Sequence, residues 1–358
     1  MSPNPKSQIQ NRKSDNPKSK IANPKSKTAF VTGGTGFVGS HLVEALLERG
    51  YDEVRCLVRD RQKWLGPLDI TPVRGDLTDV EALWKGLQGV DEVYHVAGIT
   101  RAQDWDTFYQ ANVRGTLNLL GAVKQVASDV DRVLITSSLA AVGRGADGAA
   151  TEDDPLQPVS RYGRSKAEME EALRSTHQMP TSYWEDLPIT VVRPPAVYGP
   201  RDRDILTFFQ AVNSHVCPVV GGGSDPAVSL VHVRDLAQGM IQCATHPDAL
   251  REVFFLGSPR PYAWNEVKAA STAALDTWAV TMPVPSFLVG ALGAASELWG
   301  KVTGSYPALN REKAREIRYA ATMCSSEKAR RMVGYEPAIA LDEGVAETIA
   351  WYREQEWL

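Results

Sequence analysis

The feature that most constrains this chain is a glycine-rich turn between a short strand and a helix, close to its start. Thr28–Thr32 is rich in β-forming residues and too short for a helix. Gly33, Gly36 and Gly39 follow at three-residue spacing, and an apolar helical pattern then continues to Gly50. A tight turn, a close backbone approach and the unpaired N–H groups of a helix N-terminus form a site for the pyrophosphate of a dinucleotide. An ordinary glycine-rich turn is the alternative, and the flanking strand and helix argue against it.

Strand patterns then alternate with helical patterns along the chain. The predicted strands are Ala29–Thr32, Glu53–Val58, Thr71–Arg74, Glu92–Val96, Arg132–Thr136, Ile189–Arg193 and Val253–Leu256. The predicted helices are 39–49, 79–88, 104–127, 160–175 and 233–246. Alternating helices and buried, β-branched strands predict an α/β fold, a Rossmann-type doubly wound parallel sheet with helices on both faces. Because right-handed crossovers place the end of every strand at one edge, the loops after the strands should form the site.

The pattern also predicts how the chain divides. Residues 28–200 form the dinucleotide-binding domain, to which 229–257 return. After residue 200 the alternation becomes irregular, which predicts a smaller C-terminal substrate-binding lobe of 201–228 and 258–358. Residues 1–27 repeat the tetrapeptide NPKS and almost lack aliphatic side chains, so we expect a disordered leader.

Composition excludes several classes of function. The net charge is −4, which gives no global basic field for nucleic acid. The four cysteines are far apart and show no metal-ligand spacing, so we expect no metal and a reduced, cytoplasmic protein. The sequence has no run of 18 apolar residues, so we expect neither an integral membrane span nor a signal peptide.

The loop after the second strand bears on the choice of cofactor. An acidic residue at this strand end suits the ribose 2′-hydroxyl of NAD, and a basic residue suits the 2′-phosphate of NADP. Arg59 occupies this position, and Arg61 and Lys63 could assist it. Asp60 lies one residue beyond the position that the acidic residue of an NAD site occupies. The sequence therefore favours NADP(H), with NAD(H) as the alternative, unless these are only solvated loop charges.

A helix after the fifth strand carries a candidate acid and base. Tyr162 and Lys166 are four residues apart and so share one helix face. A phenol is a poor base at neutral pH, and a neighbouring ammonium lowers its pKa. A serine hydroxyl, from Ser137 or Ser138 at the strand end, can hold the substrate oxygen while its proton moves. His95 is predicted to be a packed strand-end histidine without a catalytic role.

Eight segments together resemble the extended short-chain dehydrogenase/reductase family, often described as NAD-dependent epimerases/dehydratases. They are TGGTGFVG at 32–39, GDLTD at 75–79, HVAG at 95–98, NVRGTLNLL at 112–120, TSS at 136–138, YGRSK at 162–166, RPPAVYGP at 193–200 and VHVRDLAQGM at 231–240. They occur in family order over residues 28–260. The resemblance implies a Rossmann fold, a nicotinamide cofactor and a possible homodimer built from the helices at 104–127 and 160–175.

The resemblance also implies residue roles. Tyr162 would be the acid/base, Lys166 would lower its pKa, and Ser138 would orient the substrate oxygen. The implied cofactor-binding residues, with the two shared by catalysis, are Thr32, Gly33, Gly36, Phe37, Val38, Gly39, Arg59, Asp76, Leu77, Ala97, Gly98, Ser137, Tyr162, Lys166, Pro194 and Val197. Within this set Asp76 and Leu77 would meet the adenine. Tyr198 would lie on the loop that passes the nicotinamide.

Three positions distinguish branches of the family. Nucleotide-sugar enzymes carry an Asn where this chain has Pro195, and an Arg at about Val228. The acidic pair of the dehydratases is replaced by Leu139-Ala140-Ala141. The pattern is closer to the branch of dihydroflavonol reductases and 3-beta-hydroxysteroid dehydrogenases. It predicts an NAD(P)-dependent oxidoreductase that acts on a secondary alcohol or carbonyl of a small, non-nucleotide substrate.

Two other functions stay open from sequence, namely a nucleotide-sugar epimerase/dehydratase and a non-catalytic NADP sensor. In the last third of the chain, Gly221–Gly223 is predicted to be a flexible loop. The apolar stretch 283–304 is predicted to cover the substrate pocket, with a helix on a membrane surface as the alternative. Residues 325–334 and 348–352 are predicted to be helical.

Overall fold

The computed structural model describes residues 27–143, 148–176, 181–220, 227–284 and 322–358. Its strands are β1 Thr28–Thr32, β2 Glu53–Val58, β3 Thr71–Arg74, β4 Glu92–His95, β5 Arg132–Thr136, β6 Ile189–Arg193, β7 Ala196–Tyr198, β8 Val216–Val220, β9 Ala227–Val228, β10 Leu230–His232, β11 Val253–Phe255, β12 Tyr262–Ala263 and β13 Val280–Val284. Its helices are α1 Phe37–Glu48, α2 Val80–Leu87, α3 Trp105–Phe108, α4 Gly115–Val126, α5 Arg161–Arg174, α6 Tyr183–Asp186, α7 Leu206–Asn213, α8 Val233–Thr245, α9 Trp264–Leu275, α10 Glu327–Val333 and α11 Leu341–Glu354.

Seven strands form one parallel sheet in the order β11-β6-β5-β4-β1-β2-β3. All six strand pairs are parallel, which confirms the predicted doubly wound Rossmann sheet. The direction of winding reverses between β1 and β4, so a crevice opens there at the carboxyl ends of the strands. This topological switch point lies where the glycine turn follows β1.

Apolar side chains cover both faces of the sheet. On one face α1 and α8 bury residues such as Leu42, Leu46 and Met240. On the other face α2, α4 and α5 bury Leu83 and Leu120 among others. Because both faces are covered, the central strands β1, β4 and β5 are buried along almost their whole length rather than at every second residue.

A third apolar cluster lies beside the sheet. It joins α7, α9 and α11 to three two-stranded pairs, β7·β10, β8·β13 and β9·β12. Phe209 and Tyr352 are buried at its centre with their ring centroids 6.0 Å apart. This cluster has its own core, which is why the regular alternation of the sequence stops here.

The predicted elements differ from the observed ones in a few places. The single helix predicted over 104–127 is interrupted by a π-helical segment at Tyr109–Arg114, which lies between α3 and α4. β4 and β11 each end one residue early. Gly334 ends α10 in the left-handed region, as predicted, while the hydroxyl of Ser326 before this helix accepts a hydrogen bond from Gly257 N.

Several predictions fall wholly or mainly outside the described residues. They are the disordered leader at 1–27, the flexible loop at Gly221–Gly223 and the apolar stretch at 283–304. Among the helices of the described ranges, none has the length and apolar character needed to cross a lipid bilayer. The same ranges hold no cluster of three or more His, Cys, Asp or Glu side chains placed to bind a metal ion.

Candidate active site

The glycine turn brings backbone close to backbone. Gly33 has φ +79°, and a Cβ at this position would lie 2.5 Å from Ala97 N. A Cβ at Gly39 would lie 2.1 Å from Gly33 O, so only glycine lets α1 begin this close to the turn. Gly36 precedes α1, and no side chain of the described residues caps the helix. The first N–H groups of α1 are therefore available to an anion, as a pyrophosphate site requires.

Phe37 and Val38 begin α1 directly after the glycine turn. Phe37 is half-buried, with its ring edge against His41 at a centroid distance of 6.0 Å. Val38 packs against the core beneath the turn. His41 in turn donates from Nε2 to Pro200 O at 2.9 Å, which joins α1 to the loop after β7. The helix that would hold the pyrophosphate is thus fixed by contacts on its outer side as well as by the sheet.

A buried histidine links two strand ends beneath the turn. His95 Nδ1 lies 2.7 Å from Thr32 Oγ1, and its Nε2 lies 2.8 Å from Thr116 Oγ1. Burial and, to a smaller extent, the charge of Lys166 lower the pKa of His95 to about 3. The imidazole is therefore neutral and holds β1, β4 and α4 together, in agreement with the packed histidine predicted from sequence.

The loop after β4 passes between the glycine turn and the candidate lysine. Ala97 N lies against Gly33, as described above. At Gly98 a Cβ would lie 3.1 Å from Asn112 Oδ1 and 3.2 Å from Lys166 Nζ. Of these two predicted cofactor-binding residues, Ala97 thus lies beside the glycine turn and Gly98 beside Lys166 of α5.

Lys166 is buried on the inner face of α5. Its Nζ donates a hydrogen bond of 2.8 Å to Thr136 O at the end of β5. Burial lowers the pKa of Lys166 to about 8, against the opposing charge of Glu170. The ammonium is still mostly protonated at neutral pH, so it can stabilise a nearby phenolate.

The first turn of α5, which carries Tyr162, packs closely against the turn that Ser138 begins. Ser160 caps α5 by accepting Gly163 N at 3.0 Å. A Cβ at Gly163 would lie 2.2 Å from Ala140 O, in the 3₁₀ turn Leu139–Ala141 that Ser138 begins. Ser138 Oγ accepts Ala140 N at 3.1 Å, which orients the hydroxyl and leaves its O–H to donate. The structure therefore brings Ser138, Tyr162 and Lys166 together at the ends of β5 and α5.

Two neighbouring hydroxyls have unmet hydrogen-bonding capacity. Ser137 is buried, and its N–H donates to Val192 O at 2.7 Å. Among the described residues, neither Ser137 Oγ nor Thr136 Oγ1 has a hydrogen-bond partner. Buried hydroxyls are normally satisfied, so a polar group from outside the chain fits beside them. This fits the predicted place of Ser137 near the cofactor.

Sequence reasoning missed one residue of the site, Asn112. Its Oδ1 accepts Ile99 N at 2.8 Å, and its Nδ2 donates to Ile99 O at 3.0 Å and to Ser165 Oγ at 2.8 Å. The side chain is 1% exposed and lies in the π-helical segment. It ties the loop after β4 to α5. The sequence feature that could have indicated Asn112 is the segment NVRGTLNLL at 112–120, which carries part of the family resemblance and begins with this asparagine.

The predicted adenine-side residues lie at the same edge of the sheet. Arg59 directly follows β2 and is exposed. Arg74 Nη1 donates to Arg59 O at 3.2 Å and to Asp60 O at 2.8 Å, which holds this loop. The carboxylate of Asp76 accepts the N–H and hydroxyl of Thr78, and chiefly the hydroxyl lowers its pKa.

Leu77 completes the wall on this side. Its carbonyl accepts Asn118 Nδ2 at 2.9 Å. Its side chain lies against Gly115, where a Cβ would be 2.8 Å from Leu77 Cδ1. The loop after β3 is thereby fixed to the start of α4, beside the crevice.

The segment after β6 lies beside the serine turn. Pro194 O accepts Leu139 N at 2.9 Å, next to Ser138. Val197 pairs with Val231 in the β7·β10 ladder. Tyr198 lies in strand β7 rather than in the predicted loop. Its ring is buried, and the centroid of this ring lies 5.3 Å from that of His232. Burial raises the pKa of Tyr198 well above its ordinary value, so it stays neutral.

Several known proteins are similar to this chain in sequence. The sequence model of the NAD dependent epimerase/dehydratase family matches residues 29–257. A ceramide reductase of Caulobacter vibrioides is 31% identical over 334 residues, which cover 92% of this chain and 95% of that protein. The mouse sterol-4-alpha-carboxylate 3-dehydrogenase, decarboxylating, is 26% identical over 335 residues, which cover 89% of each chain.

Solved structures show the same architecture. The crystal structure of gox2253 has a TM-score of 0.75 at 28% identity and covers 93% of this chain and 99% of that one. The dTDP-glucose 4,6-dehydratase DesIV of Streptomyces venezuelae, solved with NAD and TYD bound, has a TM-score of 0.71 at 25% identity. That likeness covers 92% of this chain and 98% of DesIV.

Proposed function

This chain belongs to the NAD-dependent epimerase/dehydratase family and is an NAD(P)-dependent oxidoreductase of the extended short-chain type; within that family, we propose that it is an NADP(H)-preferring carbonyl reductase or alcohol dehydrogenase for an apolar, non-nucleotide substrate. One observation carries the proposal. Lys166 Nζ is buried between Thr136 O and Gly98, on the same helix face as Tyr162 and beside the turn of Ser138. This arrangement suits proton exchange with a substrate oxygen.

The residues of the site fit a dinucleotide. The glycine turn and the uncapped start of α1 suit the pyrophosphate, and the unpartnered hydroxyl of Ser137 suits a polar group near the nicotinamide. A bound nicotinamide cofactor would supply or accept the hydride at its C4 atom. Tyr162 would donate a proton to the substrate oxygen during reduction and remove it during oxidation. Ser138 would hold that oxygen, and Lys166 would stabilise the phenolate.

The substrate side of the site supports an apolar substrate. Pro195 is buried against Gly257, where a Cβ would lie 3.3 Å from Pro195 Cγ. Val228 is buried in the third apolar cluster, and Leu139 is buried beside Ser138. These positions lack the donors that a sugar diphosphate requires. Two relatives, a ceramide reductase and a sterol-4-alpha-carboxylate 3-dehydrogenase, support the same substrate class.

We assign the predicted domains on this basis. Residues 28–200 with 229–257 would bind the cofactor. The third apolar cluster, most of which comes from 201–228 and 258–358 with Tyr198 and Leu230 at its border, would form the substrate-binding lobe. It contains an apolar cavity of about 70 Å³, lined by residues that include Phe208, Leu230 and Trp264.

The assembly and location of the protein are also proposals. We expect a homodimer through α4 and α5, as the family resemblance implies, and a cytoplasmic enzyme. The four cysteines lie in the described ranges as buried free thiols, which supports a reducing compartment. Sedimentation velocity of the purified protein tests the dimer, since a monomer at micromolar concentration would contradict it.

A substrate screen tests the proposed function. The full chain is incubated with NADPH or NADH and three classes of compound: apolar ketones and aldehydes, secondary alcohols with the oxidised cofactors, and nucleotide sugars. We expect stoichiometric consumption of NADPH with apolar carbonyl compounds. The second candidate function, supported by the likeness to DesIV, is conversion of a nucleotide sugar on a retained cofactor. Turnover of nucleotide sugars without net cofactor consumption would favour that function.

A further inference from the structure

A buried ion pair lies one helical turn beyond the catalytic lysine. Glu170 follows Lys166 by four residues on α5 and is 0% exposed. Arg193, the last residue of β6 and 4% exposed, donates from Nε to Glu170 Oε1 at 2.9 Å and from Nη2 to Oε2 at 2.7 Å. The pair is therefore bidentate and excluded from water.

Such a pair needs a reason other than stability. Removing two charges from water is costly, and apolar residues of similar volume commonly stabilise a fold as well or better. Arg193 also lies over the ring of Phe255 at 5.7 Å, and within the described residues its Nη1 has no hydrogen-bond partner. The fold thus keeps a charged group here that is only partly satisfied.

We propose that Glu170 is a positioning residue of the active site, whose carboxylate, held by Arg193, keeps the Lys166 ammonium charged and locks the catalytic helix to the end of β6. The lock follows from connected contacts. Arg193 directly precedes Pro194, whose carbonyl accepts Leu139 N at 2.9 Å beside Ser138. The pair therefore joins the helix of Tyr162 and Lys166 to the strand end that supports Ser138.

The electrostatic part follows from what surrounds Lys166. On α5 it faces Tyr162 and Glu170; β5 offers a carbonyl and the π-helical segment a neutral amide. On β4, His95 is neutral, since burial lowers its pKa to about 3. Among the described residues, Glu170 is the anion whose charge raises the pKa of Lys166 against the lowering caused by burial.

The wider surroundings of the pair are mostly cationic. Arg174 approaches Glu170 at 4.0 Å, and Arg193 lies on its other side. Glu152, which accepts Phe255 N at 2.8 Å, is the acid near Arg193. Neutralising Glu170 would leave Lys166 among uncompensated positive charges, so its proton would be lost at lower pH.

Titration of Lys166 tests the inference without substrate or cofactor. Protein labelled with [ζ-¹⁵N]lysine is titrated by NMR, and the Lys166 signal is identified by its absence in Lys166→Met. We expect Glu170→Gln to lower the Lys166 midpoint by about one pH unit. Glu168→Gln is the matched control, because this glutamate lies on the same helix but pairs with Arg164 at the surface. An unchanged midpoint in Glu170→Gln would overturn the proposal.

Two further variants keep the test decisive. Glu170→Asp retains the charge and shortens its reach, so the Lys166 midpoint should stay near that of the wild type while kcat falls with KM little changed. A lowered midpoint in Glu170→Asp would contradict the charge argument. If Glu170→Gln does not fold, Glu170→Leu/Arg193→Met removes both charges, and its Lys166 midpoint should also fall; an unchanged midpoint there refutes the proposal.

The role of Glu170 rests on the proposed function, but different results refute the two. In a carbonyl reductase with intact activity, an unshifted Lys166 midpoint would refute only the role of Glu170. A shifted midpoint in a protein that never oxidises NADPH with any carbonyl compound would refute only the proposed reaction. The pH profile of kcat/KM links them, because its alkaline limb should move to lower pH in Glu170→Gln and not in Glu168→Gln.

Discussion

At the scale of single residues, the pairing of Tyr162 with Lys166 can be predicted from sequence, because their spacing places them on one helix face whatever the rest of the fold does. The glycine turn of Gly33, Gly36 and Gly39 can be predicted for a similar reason, since it follows from local backbone geometry. The position of Asn112 cannot be predicted in this way. Its role comes from hydrogen bonds to Ile99 and Ser165, which are 13 and 53 residues away in sequence.

Removing the Tyr162 hydroxyl tests the acid/base assignment. We expect Tyr162→Phe to lower kcat by about 10²–10⁴-fold, because proton transfer loses its donor. The Kd for the nicotinamide cofactor, measured by fluorescence titration, should change little. Tyr109→Phe, which alters a tyrosine on the neighbouring π-helical segment, is the control. Turnover close to that of the wild type in Tyr162→Phe would remove the assignment.

Reversing the charge at Arg59 tests the cofactor preference. An exposed guanidinium directly after β2 suits a 2′-phosphate, and a carboxylate there suits the 2′-hydroxyl. Arg59→Asp should therefore change the cofactor preference from NADPH to NADH, measured as the ratio of the kcat/KM values for the two cofactors. Arg331→Asp on α10, another exposed arginine, should leave the ratio unchanged. An unaltered ratio in Arg59→Asp would show that Arg59 is only a solvated loop charge.

At the scale of elements, the sheet was predictable because its strands are short, β-rich segments between turn signals that alternate with helical patterns. The interruption of the predicted 104–127 helix was not. The π-helical segment Tyr109–Arg114 changes the phase of the helix by one residue, and no glycine or proline within it signals this. The segment places Asn112 between the loop after β4 and α5, where it joins the two.

Truncating Asn112 tests the importance of this element. Asn112→Ala deletes three buried hydrogen bonds and leaves Ile99 N without its acceptor. We expect a loss of about 2–4 kcal/mol in the free energy of unfolding, measured by urea denaturation, together with lower kcat. Asn118→Ala, which removes the bond to Leu77 O, should cost about 1 kcal/mol. Equal effects of the two variants would contradict a special role for the π-helical segment.

At the scale of the whole molecule, the loop after β7 is docked on α1. Arg201 has φ +74°, which is unusual for a residue with a side chain, and it donates to Ser40 Oγ at 3.0 Å and to Glu44 Oε1 at 2.5 Å. Residues 161 and 157 positions apart meet here. Such long-range pairs depend on the completed fold, so no local sequence pattern indicates a role for Arg201.

The pH dependence of stability tests this docking. Burial acts to raise the pKa of Glu44, but hydrogen bonds from His41 and Arg201 outweigh it and lower the pKa to about 2. A depressed pKa stabilises the fold above the unfolded value of about 4.5, and this contribution is lost as pH falls toward 2. Glu44→Gln should therefore lower the free energy of unfolding by about 1–2 kcal/mol at pH 7, allowing for partial exposure.

The destabilisation caused by Glu44→Gln should shrink between pH 4.5 and the acid limit of folding. Glu48→Gln, at the exposed end of the same helix, should differ from the wild type by less than about 0.5 kcal/mol throughout. Denaturant unfolding at a series of pH values provides the comparison. A destabilisation by Glu44→Gln that does not depend on pH would show that the ion pair with Arg201 contributes nothing.

The central claim is net hydride transfer to a carbonyl substrate, and deuterium transfer measures it most directly. The protein is incubated with NADPH deuterated at C4 and a carbonyl compound found by the screen, and the product is examined by mass spectrometry and NMR. The account predicts one deuterium on the carbinol carbon for each NADPH oxidised, and loss of this transfer in Tyr162→Phe. Conversion of a nucleotide sugar with no net oxidation of NADPH and no deuterium in the product would contradict it.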